Sequence, residues 1–501
     1  RMLSLASPQA NLIYEARWLT EIMAPRRTRS KSSIRPLTIA SKDSVGKMVA
    51  KKTESVHFEF GGTPGAIGVM LGLPLVIYLL YFMCNDQICV HGSDIRSKLP
   101  DVLSNITSSL GALTSPEAWQ MYIGWMVFQI VLAVILPGET VNGVVIPGGK
   151  GKDGGELRLQ YPLSGHLQFW ISVLAMGHSV PKIVETDGTF SIAGMTRVPL
   201  EMIYDHYLQL ITASIVVATL LSCYLYFSSF VGDKILAKGG NTGYRIYDFF
   251  IGRELNPRIG SFDLKYIFEL RPGLIGWLVI NLGMATKQYL NRKSVYGTGS
   301  VSMSMLLVTL FQGLYVWDAC YNERAILTTM DITTDGFGYM LAFGDISWVP
   351  FIYSLQARYL VDYDPGLSTT AIVFVTVVHF AGYAIFRLAN SEKDSFRRSG
   401  PAHPSNAHLT YMNTKRGTKL ITSGWWGMAR KINYTGDWLV TLSWCMLCGG
   451  GSPVPYFQAL YFAILLVHRA IRDDLMCQEK YGADWDRYKE KVPYMFIPYV
   501  V

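Results

Sequence analysis

Long apolar runs recur through most of this chain, separated by shorter segments that carry the charge. A helix needs roughly 20 mostly apolar residues to cross the hydrocarbon core of a bilayer. The runs that reach or approach this length are 65–84, 118–137, 166–184, 207–231, 273–290, 300–320, 337–360, 368–388, 436–452 and 453–471. The chain is therefore predicted to be all-α, a polytopic integral membrane protein with about ten transmembrane helices.

Three of these runs, 166–184, 273–290 and 436–452, are short or interrupted by Gly and polar residues. A bilayer tolerates irregular segments only where protein or a cavity satisfies the backbone. We expect these three to be tilted, broken or packed centrally. The composition agrees with a membrane protein, because 16% of the residues are charged against about 25% in a typical soluble domain.

Basic residues set the expected orientation. They crowd the segment 26–52 before the first apolar run and the loop 387–431. With an even number of helices, this bias puts both termini in the cytosol and the loop 85–117 in the lumen. We expect residues 1–57 to form a basic, largely disordered arm that fixes this topology. Contact with anionic lipid headgroups is the alternative interpretation.

The cysteines number seven, and most lie in or beside apolar runs. Cys445 and Cys448 have CxxC spacing, but no second pair and no His stands near them at metal-ligand spacing. We therefore predict buried free thiols, with no disulfide framework and no metal site.

Acidic residues gather where one apolar run ends and the next begins. Four carboxylates fall between Asp318 and Asp335, and Tyr315 lies just before them. A carboxyl group partly removed from water has a raised pKa and can serve as a general acid near neutral pH. The segment is therefore a candidate acid site, and the alternative is an ordinary polar loop between helices.

Basic and aromatic residues mark the last part of the chain. Lys393 and Arg397 lie four residues apart, so they share one face of a helix. Their side chains suit phosphate oxygens, and Trp426 could stack on a planar ring. The alternative is a cytosolic flank with interfacial aromatic residues. The sequence has no G-x-G-x-x-G that opens a βαβ unit and no P-loop, so a nucleotide would have to bind among the membrane helices.

Specific motifs stand at Leu255-Asn-Pro-Arg258, Gly344-Asp-Ile-Ser-Trp-Val-Pro350 and His468-Arg-Ala-Ile-Arg-Asp473. Through them, the chain from Phe58 onward resembles the sterol reductase family. This family includes delta-14 and delta-7 sterol reductases, the C24(28) reductase and the membrane half of the lamin B receptor. The 330–338 segment is similar to the delta-14 group, and the architecture resembles the fungal enzymes of ergosterol biosynthesis.

The resemblance implies that residues 58–501 form a sterol reductase membrane domain, with a sterol cavity and an NADPH pocket within 385–495. The positions that it assigns to the cofactor are Lys393, Arg397, Ile421, Trp426, Asn433, Tyr434, Arg469, Asp473, Cys477, Gln478, Glu479, Lys480, Tyr481 and Tyr488. The candidates for an acid relay and for stabilising a cation are Tyr315, Glu323, Asp331 and Asp335.

The implied activity is reduction of the sterol C14=C15 bond by protonation and then hydride transfer from NADPH. The alternatives are reduction at C7=C8 or C24=C28, and a non-catalytic membrane tether similar to the lamin B receptor. The expected partners are an 8,14-diene sterol arriving from the bilayer, membrane lipids and other sterol-biosynthesis enzymes, without nucleic acid. The expected location is the endoplasmic reticulum membrane, continuous with the outer nuclear membrane.

Overall fold

The computed structural model describes residues 58–150, 155–177, 179–186 and 189–500, and of 147–150, 179–186 and 189–197 only the backbone. The predicted basic arm 1–57 lies outside the described residues. The α-helices are α1 (Thr63–Met83), α2 (Ile95–Ser109), α3 (Pro116–Ile135), α4 (Gly165–Gly177), α5 (Met202–Asp205), α6 (Tyr207–Ser228), α7 (Arg245–Ile251), α8 (Leu264–Leu270), α9 (Pro272–Tyr296), α10 (Met303–Tyr321), α11 (Met330–Thr333), α12 (Tyr339–Phe343), α13 (Val349–Ile352), α14 (Leu355–Asp362), α15 (Thr369–Ser399), α16 (Gly424–Met428), α17 (Ile432–Met446), α18 (Phe457–Tyr481) and α19 (Ala483–Lys491).

The strands of the described residues form two-stranded antiparallel hairpins outside the helix bundle. They pair as β1 (Glu139–Lys150) with β2 (Glu156–Leu163), β3 (Ser179–Thr186) with β4 (Thr189–Arg197), β5 (Arg258–Ile259) with β6 (Phe262–Asp263), and β7 (Tyr411–Asn413) with β8 (Lys419–Ile421). The chain is thus mostly helical, as predicted, with short hairpins added between the helices.

Seven helices among the described residues are long and apolar enough to cross a membrane. They are α1, α3, α6, the continuous α8–α9 segment Leu264–Tyr296, α10, α15 and the segment Val454–Tyr481 that contains α18. A membrane-spanning bundle is therefore supported, whereas the predicted count of about ten spans is not confirmed. The α8–α9 segment is almost wholly enclosed by protein and forms the centre of the bundle.

The three remaining predicted spans are shorter or broken. The 166–184 run is divided between α4 and the start of β3, and 436–452 overlaps the 15-residue α17. The 337–360 run is divided into α12, a π-helical turn at Gly344–Trp348, α13 and α14. Pro350 has no N–H to donate, and nearly every residue of this broken helix is buried. Protein around the break can satisfy the freed backbone groups, as a lipid-facing break could not.

The cysteine prediction was wrong at one pair, because Cys84 and Cys89 form a disulfide. The side-chain oxygen of Asn85 accepts hydrogen bonds from the N–H groups of Gln87 and Ile88, at 3.0 and 3.1 Å. This turn brings the two thiols together just after α1. The bond lies in the loop predicted to face the lumen, where disulfides persist. The other five cysteines are free.

Candidate active site

Tyr315 on α10 is surrounded by aromatic rings at the centre of the bundle. Its ring centroid lies 6.0 Å from that of Trp277 on α9 and 5.4 Å from that of Trp444 on α17. The phenol hydroxyl donates a hydrogen bond of 3.4 Å to Asp437 Oδ1. A phenol and a buried carboxyl group therefore meet between aromatic faces, and such faces attract a positive charge.

Close packing of α15 and α17 sets the position of Asp437. A Cβ atom at Gly436 would lie 2.7 Å from the carbonyl oxygen of Gly382, and a Cβ at Gly382 would lie 2.8 Å from that of Gly436. Only glycine permits this approach, as in other tight helix contacts within membranes. The next residue, Asp437, is thereby held against Tyr315.

Glu323 occupies a different environment from Tyr315. Its carboxylate accepts a hydrogen bond of 2.5 Å from the fully buried guanidinium of Arg271, and another from the Tyr266 hydroxyl. The backbone N–H of Gly165 donates to the second oxygen at 2.7 Å. A Cβ at Gly165 would lie 2.9 Å from this carboxylate, so glycine is required there. Both oxygens of Glu323 thus accept hydrogen bonds, and Oε1 forms a buried ion pair with Arg271.

Asp331 and Asp335 lie in a loop that closes over Lys265. The buried ammonium group of Lys265 donates to the backbone carbonyls of both residues, at 2.7 Å for Asp335. The Asp331 side chain is buried, and its Oδ2 has no hydrogen-bond partner among the described residues. Burial, reinforced by the charge of Asp335, raises the pKa of Asp331 to about 7.

Two further acids face Asp331 that the sequence analysis missed. Glu269 on α8 and Asp345 in the π-helical turn interact electrostatically with Asp331 and are 1% and 0% exposed. The sequence indicates Asp345 only as part of the family motif 344–350. Both are single acids inside apolar segments, and that position is a signal of function in a membrane protein.

The C-terminal helices form a basic pocket around Trp426 and Asp473. The Lys393 ammonium lies 3.7 Å from the centroid of the Trp426 ring, and the Trp426 indole donates to the Ala389 carbonyl at 2.7 Å. Lys431 forms an ion pair with Asp473. Burial lowers the pKa of Lys431, but the Asp473 carboxylate outweighs this and the pKa is raised. Lys431, absent from the predicted set, precedes the predicted Asn433 by two residues.

A pair of amides in the same pocket is only half satisfied. The Asn433 amide nitrogen donates to Asn390 Oδ1 at 3.2 Å. Asn433 Oδ1 and Asn390 Nδ2, both buried, have no partner within the described residues. One free acceptor beside one free donor complements a carboxamide. Buried polar groups normally have partners, so these atoms and the neighbouring lysines form a candidate site for a ligand with an amide and phosphate groups.

Several other predicted cofactor residues lie around the end of α18. Cys477 Sγ is 3.9 Å from Asp473 Oδ2, and Gln478 donates to Asp486 at 3.1 Å. Tyr481 stacks on Trp485 with ring centroids 6.1 Å apart. Six more predicted positions differ in exposure, with three buried, Ile421, Tyr434 and Tyr488, and three exposed, Arg397, Glu479 and Lys480.

Arg469 connects the basic pocket with the acids. Its guanidinium interacts electrostatically with Asp473, with Asp437 and with Asp331. The structure therefore brings Tyr315, Asp331 and Asp473 into one electrostatically linked region. It places Glu323 instead in the ion pair with Arg271.

A separate apolar cavity of about 290 Å³ lies on another face of α9. Gly276 and Ile280 line it together with Trp125 on α3 and Phe351 on α13. Trp277, the neighbour of Gly276, contacts Tyr315 instead. This cavity is therefore separated from the Tyr315 hydroxyl by α9.

The sequence of this chain matches one protein family and several named sterol reductases. Residues 54–501 match the model of the ergosterol biosynthesis ERG4/ERG24 family. The chain is 44% identical to Delta(14)-sterol reductase erg24 of Schizosaccharomyces pombe, over 90% of this chain and 99% of that protein. It is 40% identical to Delta(14)-sterol reductase ERG24 of Saccharomyces cerevisiae, over 90% and 99%. It is also 40% identical to Delta(14)-sterol reductase LBR of Gallus gallus, over 89% of this chain and 64% of that protein.

Proposed function

The chain belongs to the ergosterol biosynthesis ERG4/ERG24 family, and we propose that it is an NADPH-dependent delta(14)-sterol reductase. The observation that carries the proposal is the phenol–carboxyl pair Tyr315–Asp437, set between aromatic rings and linked through Arg469 to a basic pocket. Relatives named delta(14)-sterol reductase match this chain over nearly their full length, which favours C14=C15 over C7=C8 or C24=C28.

The chemistry explains why these two features belong together. A sterol double bond is not reactive toward hydride until it has been protonated. Addition of a proton to C15 of an 8,14-diene leaves a positive charge on C14, which is tertiary and allylic. The protein must therefore provide an acid, a hydride source and surroundings that stabilise a cation without admitting water.

Tyr315 is our candidate for the proton donor. Its hydroxyl is held by Asp437, and the rings of Trp277 and Trp444 pack beside it. The faces of these rings stabilise positive charge at a developing C14 cation. Proton transfer from a positioned group typically accelerates a reaction by about 10²–10⁴-fold.

The basic pocket is our candidate for the cofactor site. Lys393, Lys431 and Arg397 would hold the phosphates, including the 2′-phosphate that distinguishes NADPH from NADH. The unpaired amide atoms of Asn433 and Asn390 would bind a carboxamide. When bound, the reduced nicotinamide supplies the hydride.

The proposed activity also suggests where the protein is located and which partners it has. We place the protein in the endoplasmic reticulum membrane, where the sterol would reach Tyr315 from the bilayer and other sterol-biosynthesis enzymes are candidate partners. The similarity to the Gallus gallus protein Delta(14)-sterol reductase LBR supports the same activity and gives no separate support to a membrane-tether role.

The test is reduction of a defined sterol by purified protein in lipid. An 8,14-diene sterol and NADPH should yield the 14,15-saturated product, identified by mass spectrometry and chromatography, with one NADPH consumed per product. A 7-ene sterol and NADH serve as matched controls. Absence of NADPH consumption with the diene would contradict the proposal, and sole reduction of the 7-ene would favour the C7=C8 alternative.

A further inference from the structure

Three carboxyl groups meet inside the protein beside the candidate active site. Glu269 comes from α8, Asp331 from α11 and Asp345 from the π-helical turn, and each is at most 1% exposed. Both oxygens of Glu269, both of Asp345 and Oδ2 of Asp331 have no hydrogen-bond partner among the described residues. We call these three residues the buried acid cluster.

Positive charge around the cluster is limited. The Lys265 ammonium lies against it but donates its hydrogen bonds to the carbonyls of residues 331, 332 and 335. The other charged groups that interact with the cluster are Asp263, Asp335, Arg469 and Arg472. Two of these are already paired, since Asp263 binds Arg258 and Arg472 binds Glu59.

Burial and repulsion together determine the charge of the cluster. An ionised carboxylate without a partner is strongly disfavoured away from water, and neighbouring carboxylates disfavour each other's ionisation. Lys265 and Arg469 can balance at most two negative charges, and Asp335 is a fourth carboxylate nearby. The cluster therefore holds protons at neutral pH.

We propose that Glu269, Asp331 and Asp345 store protons and return one to Tyr315 after each sterol is protonated. The inference rests on the proposed function, because it assumes that turnover consumes a proton at Tyr315. Glu269 and Asp345 act through other groups, so they are positioning and proton-storing residues rather than groups that touch the sterol.

Arg469 is electrostatically linked both to the cluster and to the Tyr315–Asp437 pair, which indicates that the two lie near each other. Its partners there are Asp331 and Asp437, and Asp437 accepts the hydrogen bond from Tyr315. When the Tyr315 O–H bond breaks and a C15–H bond forms, the phenolate takes a proton from the Asp437 carboxyl group. Asp437 takes its proton from the cluster, and the cluster recovers one from bulk water. One proton enters for each sterol reduced.

The experiment compares Glu269→Gln and Asp345→Asn with the wild-type protein in lipid. Glu254→Gln is the control, because Glu254 is also buried, at 5% exposure, but is paired with Lys234 at 3.2 Å. Infrared spectroscopy would detect the C=O stretch of protonated carboxyl groups by its shift in D₂O. NADPH binding would be measured separately as a check that each variant is folded.

We expect each cluster variant to lose part of this carboxyl band at neutral pH and the control to retain it. We also expect kcat to fall about tenfold or more in the cluster variants, with the NADPH affinity unchanged. In the wild type and in the cluster variants kcat should decline as the pH rises. The decline should begin at a lower pH in the variants. Asp345→Glu, which keeps a carboxyl group, should recover activity that Asp345→Asn loses.

The outcomes separate this inference from the proposed function. Absence of a protonated carboxyl band in the wild type would refute the proton store whether or not the sterol is reduced. An unchanged kcat and pH profile in both cluster variants would also refute it. Wild-type protein that shows the band but does not reduce the diene would instead refute the proposed function.

Discussion

Tyr315 on α10 donates a hydrogen bond of 3.4 Å to Asp437 on α17, across 122 residues of sequence. The contact joins the segment rich in acids to the helix that follows the basic loop. Neither residue type is unusual in itself. Their meeting between Trp277 and Trp444 is what makes the position suitable for generating a carbocation.

The Tyr315→Phe variant should lose most of its turnover and still bind cofactor. The change removes the proton and keeps the ring, so we expect kcat to fall about 10²–10⁴-fold with little effect on NADPH affinity. Single-turnover sterol reduction would measure it. Tyr339→Phe is the control, because that hydroxyl also makes a hydrogen bond of 3.4 Å, to the Met70 carbonyl. Equal activity of both variants would exclude Tyr315 as the donor.

Removal of a basic side chain from the pocket should weaken NADPH binding. Lys393→Ala or Arg397→Ala should raise the KM for NADPH about tenfold or more, since a hydrogen bond to a charged group contributes about 1.5–3 kcal/mol. Arg398→Ala is a matched control, because Arg398 is exposed and paired with Asp394 at 2.5 Å. A KM that changes as little in the first two variants as in the control would refute the phosphate assignment.

Loss of Glu323 should act first on stability. In Glu323→Gln the buried Arg271 charge loses its ionic partner, and such a break typically costs about 3–5 kcal/mol. We expect a lower melting temperature, and recovery of part of the loss when Arg271 is also replaced by Met. Full thermal stability with low turnover would instead support the predicted catalytic role of Glu323.

Asp331 should make stability depend on pH. Its pKa rises from 3.8 to about 7 in the folded protein, because it is buried beside Asp335. Between these values the folded protein binds more protons than the unfolded chain, so stability falls as pH rises. Melting temperatures recorded across this range should show that decline in the wild type and a smaller one in Asp331→Asn. Parallel curves would show that Asp331 keeps an ordinary pKa.

The Cys84–Cys89 bond can be checked chemically. After alkylation without reductant, mass spectrometry should find these two cysteines linked and the other five available for modification once the protein is unfolded. Because disulfides persist in oxidising compartments, the linkage also tests the predicted lumenal side of the loop. Complete alkylation of both thiols without reductant would contradict the bond.

The lengths and positions of the apolar runs predicted the lipid-facing helices well. The runs 65–84 and 118–137 correspond closely to α1 and α3, because both helices present many apolar side chains to the outside of the bundle. The break at Gly344–Trp348 was missed, since it depends on neighbouring helices rather than on local sequence. The predicted count of about ten spans was not confirmed, because three of the runs form short or broken helices.

The sequence indicated the residues of the basic pocket but not all of the buried acids. The family resemblance, now confirmed, supplied Lys393, Trp426 and Asp473, which lie in one pocket. The roles assigned to these residues stay predictions. Glu269 was missed because it lies between Lys265 and Arg271, ahead of the predicted run 273–290, and the fold alone brings it to Asp331.

Helix α9 separates the apolar cavity from the region around Tyr315. Successive residues of an α-helix point about 100° apart, so Gly276 lines the apolar cavity while Trp277 reaches the tyrosine. The helix would have to turn by about 100° to exchange these two positions. The Arg271–Glu323 ion pair at the N-cap of α9 holds this end of the helix. An ion pair that contacts neither Tyr315 nor Asp437 thus helps to hold the helix that places Trp277 beside Tyr315.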